Sequence, residues 1–148
     1  GSTIRCSSHE TRPAAGRGVK YTHGRWNYRL VNDRKRRYRL GHYVETISVW
    51  HLRVRGYRIL ARRYKTPVGE IDIIARRGGM VAFIEVKARA TEALAIESLT
   101  PRQRKRIRRA AEAFLSAQPA LTRCDLRFDI MLVTPWAIPN HVKGAWRD

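Results

Sequence analysis

Asp72, Glu85 and Lys87 are the residues of this chain whose types and spacing could do chemistry. They lie in the stretch from Gly69 to Arg89, where two β-rich runs flank Gly78-Gly79, a dipeptide suited to a tight hairpin turn. A two-residue turn there sets Asp72 opposite Glu85 and Glu70 opposite Lys87. Side chains alternate along a strand, so Val81, Phe83, Glu85 and Lys87 share one face of the second run, and Glu70, Asp72 and Ile74 share a face of the first. Two carboxylates directly across a ladder repel, with Cβ atoms about 4.5–5.5 Å apart. A cation between them relieves that repulsion. Mg²⁺ or Mn²⁺, which prefer oxygen ligands, is the simplest choice. Lys87 points into the same space. Two carboxylates, a divalent metal and a lysine suit phosphodiester hydrolysis: the metal neutralises a phosphate oxygen and acidifies water, and the ammonium orients the attacking hydroxide. The competing reading is a solvated hairpin edge with local ion pairs. A one-residue slip in register would carry Asp72 to the other face.

The elements that must position these residues can be read around them. The spacing predicts a helix from Gly41 to Arg55, stopped by Gly56. Val49 and Leu52 extend a stripe that starts at Glu45, which aims this carboxylate inward. Glu45 could reach the metal or its water; a first-turn Glu favoured by the helix dipole is the alternative. Tyr57–Ala61 reads as a short strand, Arg62–Val68 as a loop and Arg89–Leu99 as a loop or irregular stretch. Thr100-Pro101-Arg102-Gln103 is a helix start, with Thr as cap, Pro at the first position and Gln103 at capping-box spacing. Ile107, Ala110, Ala111, Phe114 and Leu115 form its buried stripe. Leu126–Val133 is a further strand, with Leu126, Phe128, Ile130 and Leu132 on one face and Asp129 on the other, where an ion pair with an Arg is favoured over a part in supporting the site. Thr134–Asp148, with Pro135, Pro139 and Gly144, reads as an irregular tail that Trp136 and Trp146 pack onto the body.

Charge bounds the partner. The 148 residues carry 31 Lys+Arg against 12 Asp+Glu, a formal net charge of +19, which favours a polyanion, most economically nucleic acid. Arg102, Arg104, Lys105, Arg106, Arg108 and Arg109 crowd one helix and would track a phosphate backbone without reading bases. Residues 1–40 form a basic arm, expected to be loosely structured, in which Arg34, Lys35, Arg36 and Arg37 would add phosphate contacts. A plain solubilising tail is its alternative role. No apolar run approaches the roughly 18 residues of a membrane span, so a membrane partner is not expected. Cys6 and Cys124 form no CxxC pair, which argues against structural zinc and fits a reduced cytoplasm. The five histidines show no ligand spacing.

Helix, three strands, helix, strand, with Asp and then Glu-x-Lys on the second and third strands, resembles the core of the PD-(D/E)xK nuclease superfamily. Gly41 and Glu45, Gly56-Tyr57, Gly69-Glu70-Ile71-Asp72, Phe83 to Arg89, Leu99 to Arg102 and Arg127 to Ile130 resemble the YraN-like bacterial family in particular. The resemblance covers residues 41–134, a nuclease-like domain between the arm of 1–40 and the tail of 135–148. It implies an α/β fold with a restriction endonuclease-like core, its antiparallel or mixed sheet built around the Gly-Gly hairpin. It implies Asp72 and Glu85 as metal ligands with the Val86 carbonyl, Lys87 as the catalytic lysine, and Glu45 as the first-helix acid acting through water. The cofactor implied is Mg²⁺ or Mn²⁺. The activity implied is endonucleolytic cleavage of DNA, with branched or junction DNA suggested by the likeness to archaeal junction resolvases, which also implies a homodimer in a bacterial cytoplasm. A non-catalytic nucleic-acid-binding module of the same fold, and an RNA-directed nuclease, are the alternatives.

Overall fold

The computed structural model describes residues 28–134 and 137–147, with side chains from 38 onward. Residues 1–27 of the basic arm, the side chains of Arg34–Arg37, and Trp136 lie outside the described residues. Tyr38–Asp148 is a compact unit by itself.

The elements run α1 (Tyr28–Val54), β1 (Arg58–Thr66), β2 (Gly69–Arg77), β3 (Met80–Lys87), α2 (Glu92–Glu97), α3 (Pro101–Ser116), a 3₁₀ turn (Pro119–Leu121), β4 (Asp125–Leu132) and β5 (Asn140–Trp146). The strands form one sheet in sequence order, β1-β2-β3-β4-β5. Only β3 and β4 are parallel; the other pairs are antiparallel. A parallel pair needs a long crossover, which α2 and α3 supply. The fold is therefore mixed α/β, as expected.

Each sheet face carries its own core. Ile74, Val81, Phe83, Ile130 and Leu132 pack with Ile107, Ala110, Ala111 and Phe114 of α3. Ile73, Ala75, Ala82, Ile84 and Met131 pack with Val44, Val49 and Leu52 of α1. The predicted α3 stripe is thus buried, apart from Leu115, which packs at its edge. Along β3 and most of β2 alternate positions divide between these layers, as the alternation of a strand demands, although Ile71 joins the α3 layer with Ile74. Asp72 and Glu85 lie on the α3 side, where they line a cavity with Thr100, Gln103 and Arg106.

Helix α1 ends where glycine lets it. Gly56 takes φ +81, Tyr57 N–H donates to the Leu52 carbonyl (3.0 Å) and Gly56 N–H to that of Arg53 (3.0 Å). This is the paired hydrogen-bond closure of a helix on a left-handed glycine, with Leu52 and Tyr57 buried together beside it.

Several predicted bounds are corrected. Helix α1 begins at Tyr28, not Gly41; Gly41 is a helix-interior residue whose cost of about 1 kcal/mol the surrounding helix formers absorb. Strand β1 extends to Thr66, so Arg62–Lys65 are strand, not loop. Their charge suits an edge strand, where outward Arg and Lys discourage pairing with another sheet. The stretch after β3 contains α2, capped by Thr91, whose side chain accepts from Leu94 N–H. The tail is not irregular: Asn140–Trp146 is strand β5, and Trp146 stacks on Phe128 of β4 with centroids 5.5 Å apart.

Gly69 sets how closely α3 approaches β2. A Cβ at this position would overlap the backbone carbonyl of Arg106. Gly69→Ala should therefore displace α3 and cost about 1–3 kcal/mol, the usual range for overpacking. Chemical denaturation checks this, and the loss should exceed that of Gly79→Ala, where an added Cβ meets open space.

Candidate active site

The hairpin register is the one the Gly-Gly turn dictates. Gly78 takes φ +59, and Arg77–Met80, Ala75–Ala82 and Ile73–Ile84 face one another. Beyond Ile73–Ile84 the next residues are Asp72 and Glu85. Asp72 Oδ2 accepts the Val86 N–H at 2.8 Å, which fixes its carboxylate against β3. The observed contact of Val86 is through this N–H, while the sequence reading gave its carbonyl a metal-binding part.

Glu85 is enclosed as well. Its side chain is 11 % exposed, and that of Lys87 is 15 % exposed. Lys87 Nζ lies 3.0 Å from Glu85 Oε1, and Gln103 Nε2 donates to the same oxygen at 2.9 Å. Asp72 and Glu85 line a cavity of about 520 Å³ with Glu70, Thr100, Arg102, Gln103, Arg106 and Ile107.

Electrostatics follow from this enclosure. Burial pushes the Glu85 carboxyl up to about 7, the negative charge of Asp72 adds to the rise, and Lys87 opposes it. Burial also raises Asp72, against the hydrogen bond from Val86; the charges of Glu70 and Glu45 add to the rise, and Lys87 opposes it. Two adjacent oxygen donors whose charges are both disfavoured make a notch that is short of positive charge.

Gln103 was missed as a site residue. Sequence spacing gave it a capping role, and its backbone N–H does meet Thr100 Oγ1 at 3.2 Å. Its side chain goes to Glu85 instead of back to the Thr100 backbone. The available signal was its helical position, on the edge of the buried stripe that begins at Ile107.

Glu45 is buried, on the stripe with Val49 and Leu52 as expected. It is not a first-turn residue, because α1 starts at Tyr28, and the dipole explanation falls with that. Arg62 Nε donates to its Oε1 at 2.9 Å and Arg63 Nε to its Oε2. Arg63 holds this contact from a left-handed backbone, φ 47. Both oxygens of Glu45 are thus engaged by guanidinium groups of β1.

Asp129 forms the predicted ion pair and is fully buried. Arg127 reaches it at 2.7 and 2.9 Å, His141 Nε2 at 2.7 Å and Gly144 N–H at 2.8 Å. These contacts tie β5 to β4, a structural part that sequence had not given to His141.

The cations of α3 divide by position. Arg102 and Arg106 edge the acidic cavity. Lys105 and Arg109 face solvent. Arg108 pairs with Glu112 at 3.2 Å, and Arg104 is half-buried.

A model of the uncharacterised protein family UPF0102 matches residues 44–133. The chain belongs to the UPF0102 family. The matched span holds Glu45, Asp72, Glu85, Lys87 and Gln103 and leaves out the basic arm. UPF0102 protein amb4503 of Paramagnetospirillum magneticum is 52% identical over 113 residues, covering 74% of this chain and 88% of the relative. A UPF0102 protein of Parvibaculum lavamentivorans is 50% identical, covering 74% and 83%. Another, bll0669 of Bradyrhizobium diazoefficiens, is 47% identical, covering 77% and 86%. Among the described residues no helix is long and apolar enough to cross a membrane.

Glu85 gives the site a pH signature. Its folded carboxyl titrates at about 7, above its ordinary 4.5, so between those values the folded chain holds the proton longer than the unfolded chain. Its contribution to stability therefore falls as pH rises through that window. Glu85→Gln should be more stable than the parent at pH 8 by on the order of 1–3 kcal/mol, and the gain should vanish toward pH 4. Urea melts at the two pH values check this. A Gln variant weaker at pH 8 would mean that the Lys87 ion pair outweighs the burial of charge.

Proposed function

We propose that this UPF0102 protein is a divalent-metal-dependent nuclease of the PD-(D/E)xK type that cleaves DNA, with branched or junction DNA as the first substrate class. The observation that carries the reading is the convergence of Asp72, Glu85 and Lys87 at one cavity edged by Arg102 and Arg106. The donor chemistry fits Mg²⁺ or Mn²⁺. Asp72 and Glu85 are paired oxygen donors whose charges burial disfavours, and a hard dication would relieve that.

In this reading Asp72 and Glu85, with the Val86 carbonyl, would hold the metal. When bound, it would supply Lewis acidity toward a phosphate oxygen and water acidic enough to ionise near neutral pH. Lys87 would orient the attacking water and stabilise its hydroxide form. Gln103 would keep Glu85 aimed into the notch by holding one of its oxygens. Arg102 and Arg106 would hold the phosphates on either side of the cut. Glu45 would act at one remove, sharing its oxygens between water in the notch and Arg62 and Arg63. The remaining α3 cations would extend the phosphate track, and Arg34–Arg37 of the arm would add phosphate contacts of their own.

The test is cleavage of labelled duplex, single-stranded and four-way-junction DNA, with RNA counterparts, in Mn²⁺ or EDTA. Metal-dependent cuts are expected on DNA. They should fall at least about 100-fold in Asp72→Ala and Lys87→Ala, with binding retained within a few-fold. Arg106→Ala should instead weaken binding and lower the salt slope by about 1. Equal activity in the parent and Asp72→Ala would refute the assigned site. Binding without any metal-dependent cleavage would leave a nucleic-acid-binding module, and cleavage confined to RNA would change the substrate.

A further inference from the structure

Helix α1 carries apolar residues on two faces. One is buried with Val44, Val49 and Leu52 against the sheet. The other is open: Leu40 is 54% exposed, Tyr43 63%, Trp50 60% and Val54 83%. With half-buried Ile47 they recur at alternating intervals of three and four residues. The alternation lines these five side chains up as one continuous stripe along the helix, the arrangement that a helix packing along another helix needs.

The seam borders a depression. A cavity of about 560 Å³ lies beside it, lined by Tyr43, Ile47, Val133, Thr134, Ile138 and Pro139. Ile138, on the rim, is 80% exposed. The same surface thus offers projecting apolar groups, Trp50 and Ile138, and an apolar hollow to receive them. That is the self-complementarity a two-fold interface requires.

We infer that this face pairs with the same face of a second copy of the chain, α1 against α1. Area supports it. A fully buried aromatic covers about 150–250 Å², so Tyr43 and Trp50 each expose on the order of 100–150 Å². With Leu40, Val54 and Ile138, two copies bring together on the order of 1,000 Å² of apolar surface, near the threshold of a specific interface. A polyanion does not suit this face. Its seam is apolar, and the Arg53 guanidinium beside it lies over the Trp50 ring at 5.7 Å. The inference is independent of the chemistry assigned to the acidic notch.

Charge gives the pairing a distinguishing sign. Among residues 38–54 the only carboxylate, Glu45, is buried and paired, whereas Arg39 and Arg53 stand near the seam. Two copies repel through their net charge, and salt screens that repulsion while leaving apolar contact in place. Moderate salt should therefore strengthen the dimer, opposite to its effect on phosphate binding.

Sedimentation velocity on the full chain tests this. A dimer with Kd on the order of 1–10 μM is expected, with the dimer fraction rising between about 50 and 300 mM salt. Trp50→Glu, Val54→Glu and Ile138→Glu should each weaken it at least tenfold, about 1.4 kcal/mol, without changing the circular dichroism or thermal midpoint. A chain monomeric at about 100 μM in both salts overturns the inference. So does a dimer untouched by the three substitutions, or one that added salt dissolves.

Discussion

The like charges of Asp72 and Glu85 constrain the rest of this molecule. The β2–β3 hairpin sets them on adjacent strands, and the α3 layer closes over them. Neither carboxylate could be hydrated freely there, and both are pushed toward the protonated form. The protein offsets the cost with a backbone N–H on Asp72, and an ammonium and an amide on one oxygen of Glu85. A fold selected only for stability would replace such a pair with apolar residues at little loss.

The surrounding architecture keeps that notch in shape. Gly78 fixes the register, Gly69 admits α3 at close range, and Thr100 caps the helix that delivers Gln103. Two other buried acids are paired with guanidinium groups. Glu45 is clamped by Arg62 and Arg63 of the edge strand, and Asp129 by Arg127, His141 and Gly144. The contrast is physical. Asp129, with a guanidinium and several donors, is held below the ordinary carboxylate range, whereas Glu85, with one lysine and an opposing carboxylate, is held above it. Such a divergence between acids of one domain marks the raised pair as the functional candidate.

Much of this was legible in the residues. The hairpin and its register follow from Gly78-Gly79, because a two-residue turn leaves one pairing open. The α3 start follows from Thr100-Pro101, and the buried stripe from its period. What sequence concealed was long-range. Pro139 and Gly144 look like loop punctuation, yet β5 forms because β4 offers an open edge and Gly144, at φ +61, turns its N–H onto Asp129. Arg62–Lys65 look like loop because of their charge, although an edge strand tolerates it. Gly41 reads as a boundary, although α1 runs through it. Gln103 had a sufficient local explanation as part of a cap; its place beside the buried stripe turns it inward, but does not name Glu85, 18 residues away, as its partner. The double-faced apolar pattern of α1 was visible as residues, but only burial separates the face used by the core from the face left over.

Whether the notch is short of a cation is reported directly by the titration of Glu85. Carboxyl carbon chemical shifts followed by NMR across the pH range, without metal and with Mg²⁺, give its midpoint. A midpoint near 7 is expected without metal, with a clear fall when Mg²⁺ is added. A midpoint near the ordinary glutamate value, unmoved by Mg²⁺, would contradict that shortage.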